Sequence, residues 1–94
     1  MKVRWTRRAW ADLQPIARHI AEDNPPAAAR FTRLLAVKVA VLQEHPLLGR
    51  HGAFEDTREL VVHRNCLVTY RVRGDEVQVI QVWHVARGLP RGGQ

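Results

Sequence analysis

Residues 58–85 read RELVVHRNCLVTYRVRGDEVQVIQVWHV, and this stretch decides the fold. Val and Ile dominate it, and turn signals stand at Arg64-Asn65 and Gly74-Asp75. Apolar runs rich in β-branched residues and bounded by turn residues form strands, because branched side chains pack well on a pleated surface. The spacing predicts strands at 58–63, 66–73 and 76–85, the last two joined by a two-residue Gly-Asp hairpin. Strands linked so closely pair antiparallel, since a parallel return needs a long crossover.

Upstream the apolar period lengthens to that of a helix. Ala28, Phe31, Leu35, Val39 and Leu42 share one helical face, widened by Leu34 and Val41. This predicts an amphipathic helix of about 20 residues, stopped by His45-Pro46. Ala9, Leu13, Ile16, Ala17 and Ile20 make a second such face. Thr6 suits the N-cap of that helix, with Trp5 and Trp10 placed as a hydrophobic staple. Pro15 lies inside the pattern and lacks a backbone donor, so a kink or interruption is expected there. Asn24-Pro25-Pro26 ends the first helix and starts the second, which predicts a helical hairpin. Lys2–Trp5 alternates Val3 and Trp5 against charges and reads as one more strand. The order is β-α-α-β-β-β. It predicts an α+β fold, with the hairpin on one face of a small, largely antiparallel sheet. One domain over 1–90 and a flexible Gly-rich tail at 91–94 account for the chain.

A chain of 94 residues has room for one core, and 46% apolar with 26% charged residues is an ordinary globular composition. The single cysteine, Cys66, allows no internal disulfide, and no apolar run approaches a membrane span. Both features point to a cytoplasmic protein without a membrane role. Fifteen Lys and Arg against nine Asp and Glu give a net charge of +6, and 13 of the 15 are Arg. Such a charge fits an acidic partner, nucleic acid or acidic polypeptide, while a solubilising surface is the plainer explanation.

The five histidines show no metal-ligand spacing, no phosphate-binding glycine loop follows a strand, and the chain has no serine nucleophile. Neither a metal nor a cofactor is expected. Cys66, in an apolar strand, reads as an inert core thiol. Arg58, His63, Arg64, Arg71, Arg73, His84, Arg87 and Arg91 remain, on the strands and their borders. Arginine and histidine can cleave RNA without metal, through acid–base transfer and charge stabilisation at phosphorus. The same residues can hold phosphates or carboxylates without chemistry. His84 shares strand alternation with Ile80 and Val82, which suits a buried, hydrogen-bonded histidine equally. Trp5, Trp10, Phe31 and Tyr70 fall where a core is expected, and Trp83 stands near a strand end.

An ordered set of short segments carries a family resemblance. It comprises Ala11-Asp12-Leu13 with Ile16 and Ile20, Asn24-Pro25, Ala27-Ala28, Arg30-Phe31, His45-Pro46 and Leu48-Gly49-Arg50. It continues through Thr57-Arg58-Glu59-Leu60-Val61-Val62, Val68, Tyr70-Arg71-Val72, Gly74-Asp75, Val82-Trp83-His84, Ala86-Arg87 and Pro90. The chain resembles the RelE/ParE superfamily of type II toxin–antitoxin toxins, in its ParE-like, plasmid-stabilisation branch. The resemblance implies a toxin neutralised by a cognate antitoxin with an acidic C-terminal segment. It implies DNA gyrase as target, trapped on broken DNA, with Trp83, Arg87 and Arg91 as contact residues. Leu13, Ile20, Phe31, Leu35, Arg71 and Arg73 would then bind the antitoxin. The alternative it implies is RelE-like cleavage of messenger RNA on the ribosome, with Arg58, Arg71, His84 and Arg87 catalytic and Glu55 completing an acid–base set. Lysine occurs only as Lys2 and Lys38, and 85–94 lacks the tyrosine of several RNA-cleaving relatives.

Overall fold

The computed structural model describes residues 1–63 and 65–84; Arg64 and 85–94, including Arg87, Arg91 and the Gly-rich tail, lie outside the described residues. The elements are β1 (Lys2–Trp5), α1 (Arg7–Asp23), α2 (Pro25–Ala40), a 3-10 turn (Val41–Gln43), β2 (Arg50–His51), β3 (Arg58–His63), β4 (Cys66–Arg73) and β5 (Glu76–His84). They form a five-stranded sheet in the order β1-β5-β4-β3-β2, with α1 and α2 packed on one face. β1 runs parallel to β5, and every other pair is antiparallel.

Local chemistry sets the junctions. The Thr6 hydroxyl accepts the Ala9 amide at 3.2 Å, capping α1, and donates to the Val79 carbonyl at 2.8 Å. One residue thus closes β1, starts α1 and ties both to β5. The Trp5 and Trp10 rings meet with centroids 5.0 Å apart, as a staple requires. Asn24 serves both helices: its amide donates to the Ile20 carbonyl at 3.0 Å, and its side chain accepts from Ala27 at 3.1 Å. Gly74 has φ +59 in the β4–β5 hairpin, a left-handed conformation that glycine adopts without steric cost.

The core joins Leu13, Ile16, Phe31, Leu35, Val39 and Leu42 of the helical layer to Val62, Cys66, Val68, Tyr70, Val77, Val79 and Val82 of the sheet. Asp12 is buried among them. Its carboxylate accepts the Val82 amide at 3.2 Å and the Arg8 Nε at 3.0 Å, so the buried charge is paired.

Several expectations need correction. α1 is continuous through Pro15, because Leu13 and Ile16 are buried on either side of it and packing overrides local propensity. α2 ends at Ala40 and tightens into a 3-10 turn, so the apolar stripe reaches Leu42 without a full α-helix. Arg50–His51 form β2, a short strand beyond the expected β-α-α-β-β-β order. Trp10 is 50% exposed rather than core, since the staple needs only its inner edge.

Asp12→Ala removes the acceptor of a buried amide, and an unsatisfied buried donor costs about 2 kcal/mol. A thermal melt should show a midpoint roughly 10 °C lower, with Asp12→Asn losing less because it keeps an acceptor. Burial pushes the Cys66 thiol up to about 12. The folded protein therefore keeps the thiol protonated between pH 9.0 and about 12, where the unfolded chain releases its proton. In that window stability should fall as pH rises, and a thiol reagent at pH 8 should label Cys66 only on unfolding.

Candidate functional site: the helix-free face of the sheet and its bordering loop

Strand register separates two faces. Lys2 and Arg4 of β1, Glu76, Gln78, Gln81 and Trp83 of β5, and Leu67, Thr69, Arg71 and Arg73 of β4 stand opposite one another on the face away from the helices. Arg50 and Glu59 continue it across β2 and β3. A chain of contacts runs over this face. Arg71 Nε donates to Gln78 Oε1 at 3.0 Å, while Gln78 Nε2 at 2.8 Å and Arg4 Nε at 3.0 Å both donate to Glu76 Oε1. The Gln78 hydrogen bond and the Arg4 guanidinium hold the Glu76 carboxyl below its ordinary range. Arg50 pairs with Glu59 at 3.2 Å. Lys2, Arg4, Arg50, Arg71 and Arg73 thus share the face with the engaged carboxylates of Glu59 and Glu76, and Asp56 of the bordering loop lies 4.0 Å from Arg73, which still leaves a cationic surplus that attracts phosphates or carboxylates. Trp83 lies half-buried on the same face, opposite Leu67.

The residues expected to meet the antitoxin do not form one surface. Arg71 and Arg73 lie on the helix-free face, whereas Leu13, Phe31 and Leu35 are buried on the other side, in the core. Ile20 is half-buried and lines a cavity with Arg30, Leu34 and His63. Of the expected target contacts, Trp83 is placed as above, while Arg87 and Arg91 lie outside the described residues.

The expected catalytic set is dispersed. Arg58 stands in register with Tyr70, on the helix side of the sheet, and its Nη1 donates to the Gly49 carbonyl at 2.8 Å and the Leu47 carbonyl at 3.3 Å. The Tyr70 hydroxyl donates to the Pro46 carbonyl at 2.8 Å and accepts the Gly49 amide at 2.8 Å. Arg58 and Tyr70 therefore clamp the loop leading into β2. Gly49 permits this approach: a Cβ there would lie 2.8 Å from the Tyr70 ring and from the Glu59 carbonyl oxygen. Desolvation raises the Tyr70 hydroxyl above its ordinary range, so it stays a donor at neutral pH. His84 stands opposite Cys66, four positions from Tyr70 along β4, a separation of roughly 13 Å. Arg71 is on the opposite face from both. Glu55 is exposed and shares a cavity of about 510 Å³ with Arg58 and His51. His51 was not singled out from sequence, because a two-residue strand has no periodicity to reveal it. Among the described residues no three His, Cys, Asp or Glu side chains gather to hold a metal ion, and no helix is long and apolar enough to cross a membrane.

Tyr70→Phe keeps the ring in the core but leaves the Gly49 amide and Pro46 carbonyl without their partner. We expect a loss of about 1–3 kcal/mol in urea unfolding and faster hydrogen exchange at Gly49, with the sheet amides unchanged.

Comparison with known proteins places this geometry. Residues 3–89 match the family described as the ParE toxin of the type II toxin–antitoxin system parDE. The Sinorhizobium fredii protein Y4kP is 36% identical over 91 residues, covering 96% of this chain and 94% of that protein. Toxin RelE2 of Caulobacter vibrioides is 37% identical over 86 residues, covering 92% and 97%. The solved chromosomal ParDE system of P. aeruginosa superposes with a TM-score of 0.82 at 29% identity, over 90% of this chain and 96% of that one. The helical hairpin on a mixed sheet is thus a shared architecture, and the chain belongs to the ParE toxin family of type II toxin–antitoxin systems.

Proposed function

We propose that this toxin acts by binding rather than by bond cleavage, poisoning DNA gyrase through the helix-free face of its sheet and arresting replication. A cognate antitoxin is its partner, as for ParDE-type toxins. The observation that carries the reading is the dispersal of Arg58, Arg71 and His84. Metal-free RNA cleavage needs a base, an acid and a charge stabiliser within hydrogen-bond reach of one phosphate. Here Arg58 is committed to loop carbonyls, and Arg71 and His84 are on opposite faces of the sheet. What gathers instead is a cationic face with a half-buried tryptophan at one end, suited to docking. Arg87 and Arg91 extend the same positive character in sequence.

A second reading, ribosome-dependent cleavage of messenger RNA, draws on the RelE names of the Caulobacter relatives and on the His51, Glu55 and Arg58 side chains around one cavity. One assay separates the two: purified gyrase and supercoiled DNA with rising toxin, with and without ATP. Accumulation of cleaved DNA is expected, and it should weaken when Arg71 and Arg73 are both changed to Glu. Intact supercoiling activity, together with transcripts cut on translating ribosomes, would overturn the gyrase reading in favour of the second.

A further inference from the structure

α1 carries one large apolar side chain that its own packing leaves in solvent. Trp10 is 50% exposed, whereas Leu13, Ile16 and Ile20 of the same helix turn toward the core. The hydrophobic staple accounts for one side of the indole: the Trp5 ring lies against it, centroids 5.0 Å apart and planes 31° from parallel. It does not account for the other side, because an apolar residue of moderate size is enough to close a staple. The outward side of the ring is a surface still open to stacking.

What surrounds the ring selects its partner. Arg7, Ala11, Gln14 and Arg18 follow one another at helical spacing along the exposed side of α1, with Trp10 at their flank. Neither Arg7 nor Arg18 has a carboxylate within ion-pairing distance among the described residues, whereas Arg8 is held by the buried Asp12. Arg7 gives α1 itself nothing, since a cation in the first turn opposes the helix dipole. Glu22 and Asp23, at the far end of α1, are the first exposed acids on the helix. Arg4, next to Trp5 in the chain, stands on the helix-free face, and β1 is the edge of the sheet. The aromatic pair and the cationic face therefore adjoin across one strand.

A protein partner would need further apolar surface around the indole to exclude water. The other large exposed apolar residues among those described lie elsewhere, at Met1, on α2 and the turn after it, between Leu47 and Phe54, and on β3. One aromatic surface among unpaired arginines and a glutamine is instead the chemistry of a base-stacking platform, in which the ring takes a nucleobase and guanidinium groups take phosphates. An intact duplex hides its base faces by stacking, so an unpaired or terminal base is what fits. Arg7 to Arg18 spans about 16 Å of helix, the length of roughly five stacked nucleotides.

We infer that Trp10, with Arg7, Gln14 and Arg18, forms a site for single-stranded DNA that stacks one base on the outward side of the indole. The choice of DNA rests on the gyrase reading: at a break each strand ends in a base that has lost a stacking neighbour, the exposed face this site accepts. The toxin then grips the broken strand with α1 while the helix-free face meets the enzyme.

The test needs no gyrase. A fluorescent single-stranded oligodeoxynucleotide of about ten nucleotides is titrated with the full toxin and read by anisotropy, with closed circular duplex and an RNA of the same sequence as competitors. We expect the duplex, at equal nucleotide concentration, to displace the single strand poorly. The single strand should quench tryptophan emission, a change that Trp10→Phe largely removes. Trp10→Ala should weaken binding at least about fivefold, and Trp10→Phe, which keeps an aromatic face and the staple, no more than about threefold. Arg7→Glu with Arg18→Glu alters two exposed positions, so the circular dichroism spectrum should be retained. That double variant should bind more weakly and lower the slope of log affinity against log salt by about 1. Equal displacement by closed duplex, binding by folded Trp10→Ala within about twofold, or RNA bound about tenfold more tightly than DNA would overturn the inference. Should Trp10→Ala fail to fold, undiminished binding by the double arginine variant overturns it in the same way. Single-strand binding that these variants weaken, beside gyrase that stays active, would leave the site standing and sink the gyrase reading alone.

Discussion

The Asp12 carboxylate accepting the Val82 amide is the contact on which the rest of the arrangement depends. β1 stops opposite Val79, yet β5 runs on to His84, so the amides beyond β1 need acceptors from elsewhere. α1 covers this stretch, and Asp12 supplies one acceptor from inside the core. A buried carboxylate tolerates little error, because a rotated or shifted helix would leave the charge unpaired. The hairpin is thereby held to one rotation about its axis and one height on the sheet. The irregularity opposite Thr69 and Tyr70 is part of the same fit. It leaves Ile80 without a partner and reverses the phase of β5, so Val77, Val79 and Val82 all face the helices. With strict alternation Trp83 would lie beneath α1; the phase change puts it on the helix-free face.

Much of this was legible in the sequence, for a physical reason in each case. Helical stripes, the Thr6 cap, the Trp5–Trp10 staple, the Asn24-Pro25-Pro26 break and the Gly74-Asp75 turn are local devices whose partners lie within a few residues. The parallel pairing of β1 with β5 joins positions about 75 residues apart, and no local period encodes it. β2 is too short to show alternation, and its existence depends on the Tyr70 and Arg58 clamp. Arg58 itself shows where residue type misleads. An arginine in a strand reads as a free cation, whereas this one is paired in register with Tyr70 and bonds two loop carbonyls. Leu13, Phe31 and Leu35 mislead in the opposite way, since the stripe that packs a hairpin onto its own sheet is not left over for a partner. The cavity lined by Val37, Val41, Leu48 and Val61 was invisible from sequence because it joins the side of α2 to an edge of β3 that β2 covers only at Arg58 and Glu59.

The helix-free face and the cavity between α2 and β3 differ in chemistry and meet along Arg50, Glu59 and Val61. The helix-free face is polar and cationic, while the cavity lined by Val37, Val41, Leu48 and Val61 is apolar with Lys38 and Arg50 at its border. Arg50 and Glu59, paired with one another, line that cavity and by register with Thr69 also lie on the helix-free face. An acidic strand laid along β3 would compete for Arg50 with Glu59. The released Glu59 carboxylate would then lower the cationic surplus of the face on which Arg71 and Arg73 stand. The size of such an effect is bounded by screening, since charges more than about 8 Å apart across exposed surface interact weakly at physiological salt. It therefore acts most on the groups nearest β3.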